Sequence, residues 1–252
     1  IVVTAVNTKT IFSSFQPQSG CSFPLHFYGI RYIIRYTLFI RSIFDEVIDI
    51  LHLCGDFVVV NKPRGMLSEG ECPAAIADAL REKGEPRPDE LYTVHRLDRT
   101  TAGLMVYARS KRAAAELSKI IADGGFHKTY VAFVTADPAL PPEGELRDML
   151  FFDRNHDKAY VVDAKHPRKG AKEAVLTYET AGTFDVDGVS VTKLLVYPQT
   201  GRSHQIRIQF ASRKSPLLGD GKYGSRVKYR GASLISCGIR WKKFDFSRLM
   251  PK

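Results

Sequence analysis

Cysteine is scarce: only Cys21, Cys54, Cys72 and Cys237 occur in 252 residues, and no two stand in a C-x-x-C pair. That argues against a zinc knuckle or a disulfide framework and leaves a reducing compartment, the cytoplasm, as the expectation. The seven histidines include no pair at the i, i+4 spacing that puts two ligands on one helical face, so no metal site is expected. There is no G-x-S-x-G and no dinucleotide fingerprint after a strand, and GDGKYGS at 219–225 lacks the full phosphate-loop spacing. No cofactor is expected. Long apolar runs are also missing. The most apolar segment, YGIRYIIRYTLFIRSIF at 28–44, is interrupted by Arg31, Arg35 and Arg41, whereas a membrane span needs roughly 20 apolar residues. No signal peptide is recognisable at Ile1, and no membrane crossing is expected.

Acidic charge falls short of basic charge, with 27 Asp and Glu against 37 Lys and Arg, for a net +10. Clustered cations gain affinity for a phosphate backbone by displacing its counterions, so a polyanion is the expected partner. Hydrophobic residues make up 44% of the chain, ample for one large domain or two small ones.

Residues 1–45 lack a clean helical or strand period and read as an extension. They fit an added strand and arm, a segment with little structure, or a surface-binding amphipathic stretch. From residue 46 to 252 the punctuation is regular. DFVVVNKPRG reads as a buried strand entering a turn. CPAAIADALREKG reads as a helix with Pro73 in its first turn and Gly84 at its end. AGLMVYA reads as a strand, and Ser110 can cap the helix KRAAAELSKIIADGG. KTYVAFVTA, KAYVVDA, EAVLTYETA, VSVTKLLVYP and ASLISCGIRW then read as strands. Strands outnumber helices without alternating with them, so the class is α+β.

One stretch carries candidate chemistry. In YTVHRLDRTTAGLMVYARS, Asp98 stands between Arg96 and Arg99. Asp98 could be a helix N-cap or half of a surface ion pair. Cationic neighbours also favour the ionised form of a carboxylate, which suits a nucleophile or base in a site that attracts phosphates.

HRLDRTTAGL resembles the H-R-L-D-x-x-T-S/A-G-L motif of the RluA-type pseudouridine synthases, which isomerise uridine in structured RNA. VVVNKPRGML, HKTYVAFV, TGRSHQIRIQFA and PLLGDGKYG resemble further motifs of that family in the same order. The likeness runs from about residue 47 to 246. It implies an α+β pseudouridine synthase fold, a largely antiparallel mixed sheet flanked by helices and loops, with a central active-site cleft. It further implies a cofactor-free isomerase in which Asp98 engages the ribose, Arg207 orients its carboxylate and Tyr130 packs on the target base. Arg96 would fill the stack left by the flipped uridine, since an enzyme acting on a base must extrude it. Arg99, Lys128, Arg202, His204, Lys169, Lys172 and Lys222 are candidate RNA contacts. Tyr130 could instead be core, and Arg202 and His204 could be turn residues. A small S4-like RNA-binding module is not recognisable in 1–45, and Ala102 stands where Ser is commoner. Ribosomal RNA is favoured over transfer RNA, and a monomer is expected. A catalytically silent RNA-binding protein or chaperone, and a hydrolase acting on another nucleoside, are the rival readings.

Overall fold

The run FVVV at 57–60 does not alternate, and a computed structural model of the chain explains why. The structure describes residues 48–135, 140–186, 188–229 and 231–247. The segment 1–45, expected to be an extension, lies outside these residues. Strand β2 (Phe57–Lys62) is buried at all six positions, because successive side chains point to opposite faces and both faces are covered. Val58 and Val60 pack in one core with Cys72, Ile76 and Leu80 of α1 (Glu71–Glu82). Phe57 and Val59 pack in a second with Ala113 and Leu117 of α2 (Lys111–Ala122). Each buried Val, Ile, Leu or Phe among them contributes roughly 1.5–3 kcal/mol.

Both helices form where the sequence places them. Ser110 Oγ accepts a hydrogen bond from the Ala113 amide at 3.1 Å, satisfying one of the amides a helix N-terminus leaves free. Gly84 and Gly124 follow the two helices at φ of +67° and +76°.

The sheet has eleven strands among the described residues. Its main path runs β1 (Asp49–Leu53), β2, β4 (Ala102–Ala108), β10 (Leu234–Trp241), β5 (Phe126–Thr135), β9 (Val189–Pro198), β8 (Lys172–Val186), β6 (Glu143–Asp153) and β7 (Lys158–Val162). Strand β3 (Tyr92–Thr93) pairs with β4, and β11 (Phe244–Ser247) with β10. Only β4 and β10 run parallel; the other pairs are antiparallel. The class is therefore α+β, a mixed and largely antiparallel sheet with helices on it, as expected. Gly103 allows the parallel junction. Its φ is +117°, and a Cβ there would stand 2.1 Å from the Ser236 carbonyl oxygen, so only glycine lets β10 approach.

Besides the short strands β1, β3 and β11, two further elements were not legible in sequence. Strand β6, EGELRDMLFFD, carries charges at Glu143, Glu145, Arg147 and Asp148 that mask its period, yet Leu146 and Leu150 are buried. Pairing with β7 and β8 on its two sides holds it extended. Helix α3 (Gln205–Ala211) is a seven-residue segment entered through His204, whose left-handed φ of 54° and lack of a side-chain cap bond give no start signal.

Lys62, at the end of β2, is fully buried and donates to the carbonyls of Pro63 and Met66 at 3.0 and 2.8 Å. Burial lowers its ammonium pKa from 10.5 to about 8. Between those two values the folded chain binds fewer protons than the unfolded chain, so this group makes stability rise with pH across that window and leaves it flat below. The rise should amount to about 3 kcal/mol. In denaturant titrations from pH 7 to 10.5, Lys62→Met should lack this increment; an identical pH dependence in both proteins would refute the assignment.

Candidate active site

The turn that carries Asp98 is pinned on both sides. Ser68 Oγ donates to the Leu97 carbonyl at 2.8 Å and accepts from the Leu97 amide at 3.0 Å. The Thr101 amide closes the turn on the Asp98 carbonyl at 2.9 Å, and the Gly65 amide holds the Arg99 carbonyl at 2.8 Å. His95 Nε2 accepts from the Val106 amide at 3.1 Å, while burial, with Lys128 adding to it, holds the imidazole pKa well below its ordinary value. This short loop leads into β4, so Asp98 caps no helix.

Nor does Asp98 pair with its sequence neighbours. Arg99 turns away, donating Nε to the Gly65 carbonyl at 2.6 Å and approaching Glu71 at 3.8 Å. Arg96 is exposed on the cleft wall. The carboxylate instead faces Arg207 of α3, whose Nη1 lies 3.5 Å from Asp98 Oδ2. That contact is long for a charge-assisted bond. The close partner of Arg207 is Asp220: Nε and Nη2 donate to its two oxygens at 2.7 and 2.8 Å. The side chains of Arg207 and Asp220 are 6% and 1% exposed. The guanidinium also lies 4.9 Å over the Tyr223 ring. The pairing with Asp98 expected from sequence is thus present, but secondary to a buried fork that fixes the arginine first.

Sequence reading gave Asp220 no role. Its motif PLLGDGKYG was visible, but its partner is thirteen residues earlier on another element. Gly219 places it: with φ of +78°, a Cβ at this residue would meet the Gly231 carbonyl oxygen at 2.5 Å.

His204 is buried beside Asp98. Its Nε2 is 3.9 Å from Asp98 Oδ2 and 4.0 Å from Asp157 Oδ1, and its Nδ1 meets the Tyr223 hydroxyl at 2.8 Å. Burial lowers its pKa against the pull of Asp98. Gln205 braces this loop, its Oε1 accepting from Thr200 Oγ1 at 2.8 Å and the Arg202 amide at 3.0 Å.

These groups line one cleft of about 970 Å³, which brings together Asp98, Tyr130 and Arg207 with Arg96, Lys128, Arg202 and His204. Tyr130 is buried, and burial, with the nearby Asp98, raises its hydroxyl pKa, so the phenol stays protonated at neutral pH. Lys128, two residues before Tyr130 on β5, is half-buried and its pKa is lowered by burial. Arg202 is exposed and donates Nε to the Glu173 carbonyl at 2.8 Å. The remaining candidates lie outside the cleft lining. Lys169 and Lys172 are exposed at the turn before and the start of β8, and exposed Lys222 binds Asp157 at 2.6 Å.

A mixed sheet with a carboxylate facing a buried arginine, in a cleft that also holds Arg96, Lys128, Arg202 and Arg240, suits a polyanionic substrate. The family model for RNA pseudouridylate synthase matches residues 56–212, and the chain belongs to that family. Within it the chain is of the RluA type. It is 33% identical over 184 residues to the dual-specificity RNA pseudouridine synthase RluA of Vibrio parahaemolyticus, covering 72% of this chain and 71% of that one. An RNA pseudouridine synthase of Haemophilus influenzae is 28% identical, with 72% and 75% covered. The solved structure of human RNA pseudouridylate synthase domain containing 1 shares the fold, with a TM-score of 0.65 at 20% identity over 84% of this chain and 85% of that one. The chain is an isomerase that converts uridine to pseudouridine in RNA.

Proposed function

We propose that Asp98 is the catalytic carboxylate of this isomerase and that its substrates are uridines in structured RNA, ribosomal RNA first and transfer RNA second. The observation that carries this reading is the position of Asp98: its turn is pinned, its Oδ2 faces a locked arginine, and its side chain remains 25% exposed at the cleft. A carboxylate held in one orientation and open on one side suits attack on, or proton abstraction from, a sugar carbon. Tyr130 would pack on the extruded uracil as a neutral phenol, and Arg96 would occupy the gap left in the stack. The glycosidic bond breaks, the uracil turns, and it is rejoined through carbon. The names of relatives support the choice of RNA. Besides the dual-specificity enzyme, the ribosomal large subunit pseudouridine synthase D of Xylella fastidiosa is 30% identical over 73% of this chain and 54% of its own length. A silent RNA binder would need the cations but not the buried Arg207–Asp220 fork beneath Asp98.

The test is direct. Purified protein should form pseudouridine at defined positions when incubated with ribosomal or transfer RNA transcripts, read by carbodiimide mapping. Binding to both RNAs with no modified site in either would support the binder instead. We also propose a cytoplasmic monomer: Cys54, Cys72 and Cys237 are free thiols, which suits a reducing compartment, and light scattering of the purified chain should give the mass of one copy.

Lys128 should carry a phosphate contact inside the cleft, since no acidic side chain among the described residues pairs with its ammonium. Lys128→Met should weaken RNA binding and reduce the slope of log affinity against log salt by about 0.7–0.9. An unchanged slope would remove Lys128 from the phosphate path.

A further inference from the structure

We propose that His204 is a positioning residue for Asp98, set in one tautomer by Tyr223, and that Oδ1 of Asp98 is the oxygen that engages the ribose. The inference rests on Asp98 being the catalytic carboxylate and goes one step further, to which of its oxygens reacts and what holds the other.

The Tyr223 hydroxyl accepts from the Ala159 amide at 2.7 Å and meets His204 Nδ1 at 2.8 Å. With its oxygen already accepting, the hydroxyl has a proton to give, and Nδ1 takes it as acceptor. A neutral imidazole that accepts at Nδ1 carries its hydrogen on Nε2. Burial favours that neutral form over the imidazolium. The charged groups facing the ring are Asp98, Asp157, Lys222 and Arg207. The Nε2–H is therefore presented to Asp98 Oδ2 at 3.9 Å and Asp157 Oδ1 at 4.0 Å.

Arg207 Nη1 approaches the same oxygen, Asp98 Oδ2, at 3.5 Å. Arg207 and His204 thus both face Oδ2, the imidazole from beyond hydrogen-bond distance, and Oδ1 accepts no hydrogen bond among the described residues. An oxygen with its lone pairs unengaged is the better nucleophile or base, while the doubly faced oxygen fixes the plane of the group. The ring of His204 is itself held in place. The residue's backbone sits at φ 54°, ψ 20°, a left-handed conformation that His adopts more readily than most non-glycine residues. The T-shaped contacts of its ring with Phe152 and Tyr223, at centroid distances of 5.4 and 5.7 Å, constrain the ring.

Two amide substitutions separate the roles. Asn offers a polar group near the position of Nδ1 and tolerates the left-handed backbone well; Gln places its amide N–H near the position of Nε2 but suits the backbone less. In single-turnover reactions at saturating RNA, His204→Asn should lose rate by on the order of 10-fold to 10²-fold. His204→Gln should recover most of that loss, with the RNA dissociation constant within about twofold of wild type for both. Tyr223→Phe, which removes the proton held by Nδ1, should lower the rate in the same direction, and its effect should vanish in the His204→Asn background. A ranking with Asn at or above Gln would make His204 a backbone-shape residue and overturn the proposal. A loss confined to the dissociation constant would make it an RNA contact and overturn it equally. Thermal melts run alongside identify folding losses, which would appear in both amide variants. Asp98→Asn in the same assay separates the two levels: substantial activity there would sink the catalytic role of Asp98 itself, whereas an inactive Asp98→Asn with a fully active His204→Asn would sink only the role of His204.

Discussion

Asp98→Asn is expected to abolish pseudouridine formation, by on the order of 10⁴-fold or more, while RNA binding survives or tightens. Asparagine keeps the shape of the side chain and the turn held by Ser68, Thr101 and Gly65, whose bonds run to backbone atoms of residues 97–99. It removes the charge that engages the sugar, and removal of the reacting group at such a centre falls almost wholly on the chemical step. The cleft around it also holds Arg96, Lys128, Arg202 and Arg240, so one negative charge fewer favours a polyanion. Single-turnover kinetics and filter binding on the same RNA would separate the two effects. Retention of substantial turnover would reduce Asp98 to a structural residue and leave the reaction without its centre.

The second large effect is expected at Asp220, which touches no substrate in our reading. Asp220→Asn leaves the Arg207 guanidinium, 6% exposed, with one carboxylate at 3.5 Å instead of a two-point fork. Breaking a buried pair by removing one partner costs about 3–5 kcal/mol, because the remaining charge is stranded. For a domain of this size that lowers the melting temperature by on the order of 10 °C. The rate should fall as well, since a guanidinium released from its fork no longer presents Nη1 to Asp98 at a fixed angle. Arg207→Lys should reproduce the loss of rate, on the order of 10²-fold, because an ammonium keeps the charge and loses the planar geometry. Calorimetry and single-turnover rates would read both. An Asp220→Asn protein as stable as wild type would show that the fork is not what anchors Arg207.

Much of this protein was legible in its sequence, for reasons that are local. The helices α1 and α2 are specified by apolar spacing and by glycines that only a helix end requires, and Ser110 caps where its side chain can reach an amide three residues on. Strands β2, β4, β5, β8, β9 and β10 are runs of β-branched and aromatic residues, and their failure to alternate with helices is enough for the α+β class. The ordered motifs around Asp98, Tyr130 and Arg207 pointed to the reaction through their resemblance to those of the pseudouridine synthases, although the contacts between them were not legible. What the chain order could not convey is which charge faces which. Asp98 lies between two arginines in sequence and pairs with neither, because the turn that exposes its carboxylate sends Arg99 to Gly65 and Glu71. Its partners, Arg207 and His204, arrive from α3 more than a hundred residues later, and the fork on Asp220 depends on a left-handed glycine brought against Gly231. Hydrophobic period and capping act over a few residues and are written in order along the chain. Ion pairing in a buried site depends on distances of a few ångströms between distant segments, and only the folded sheet sets those.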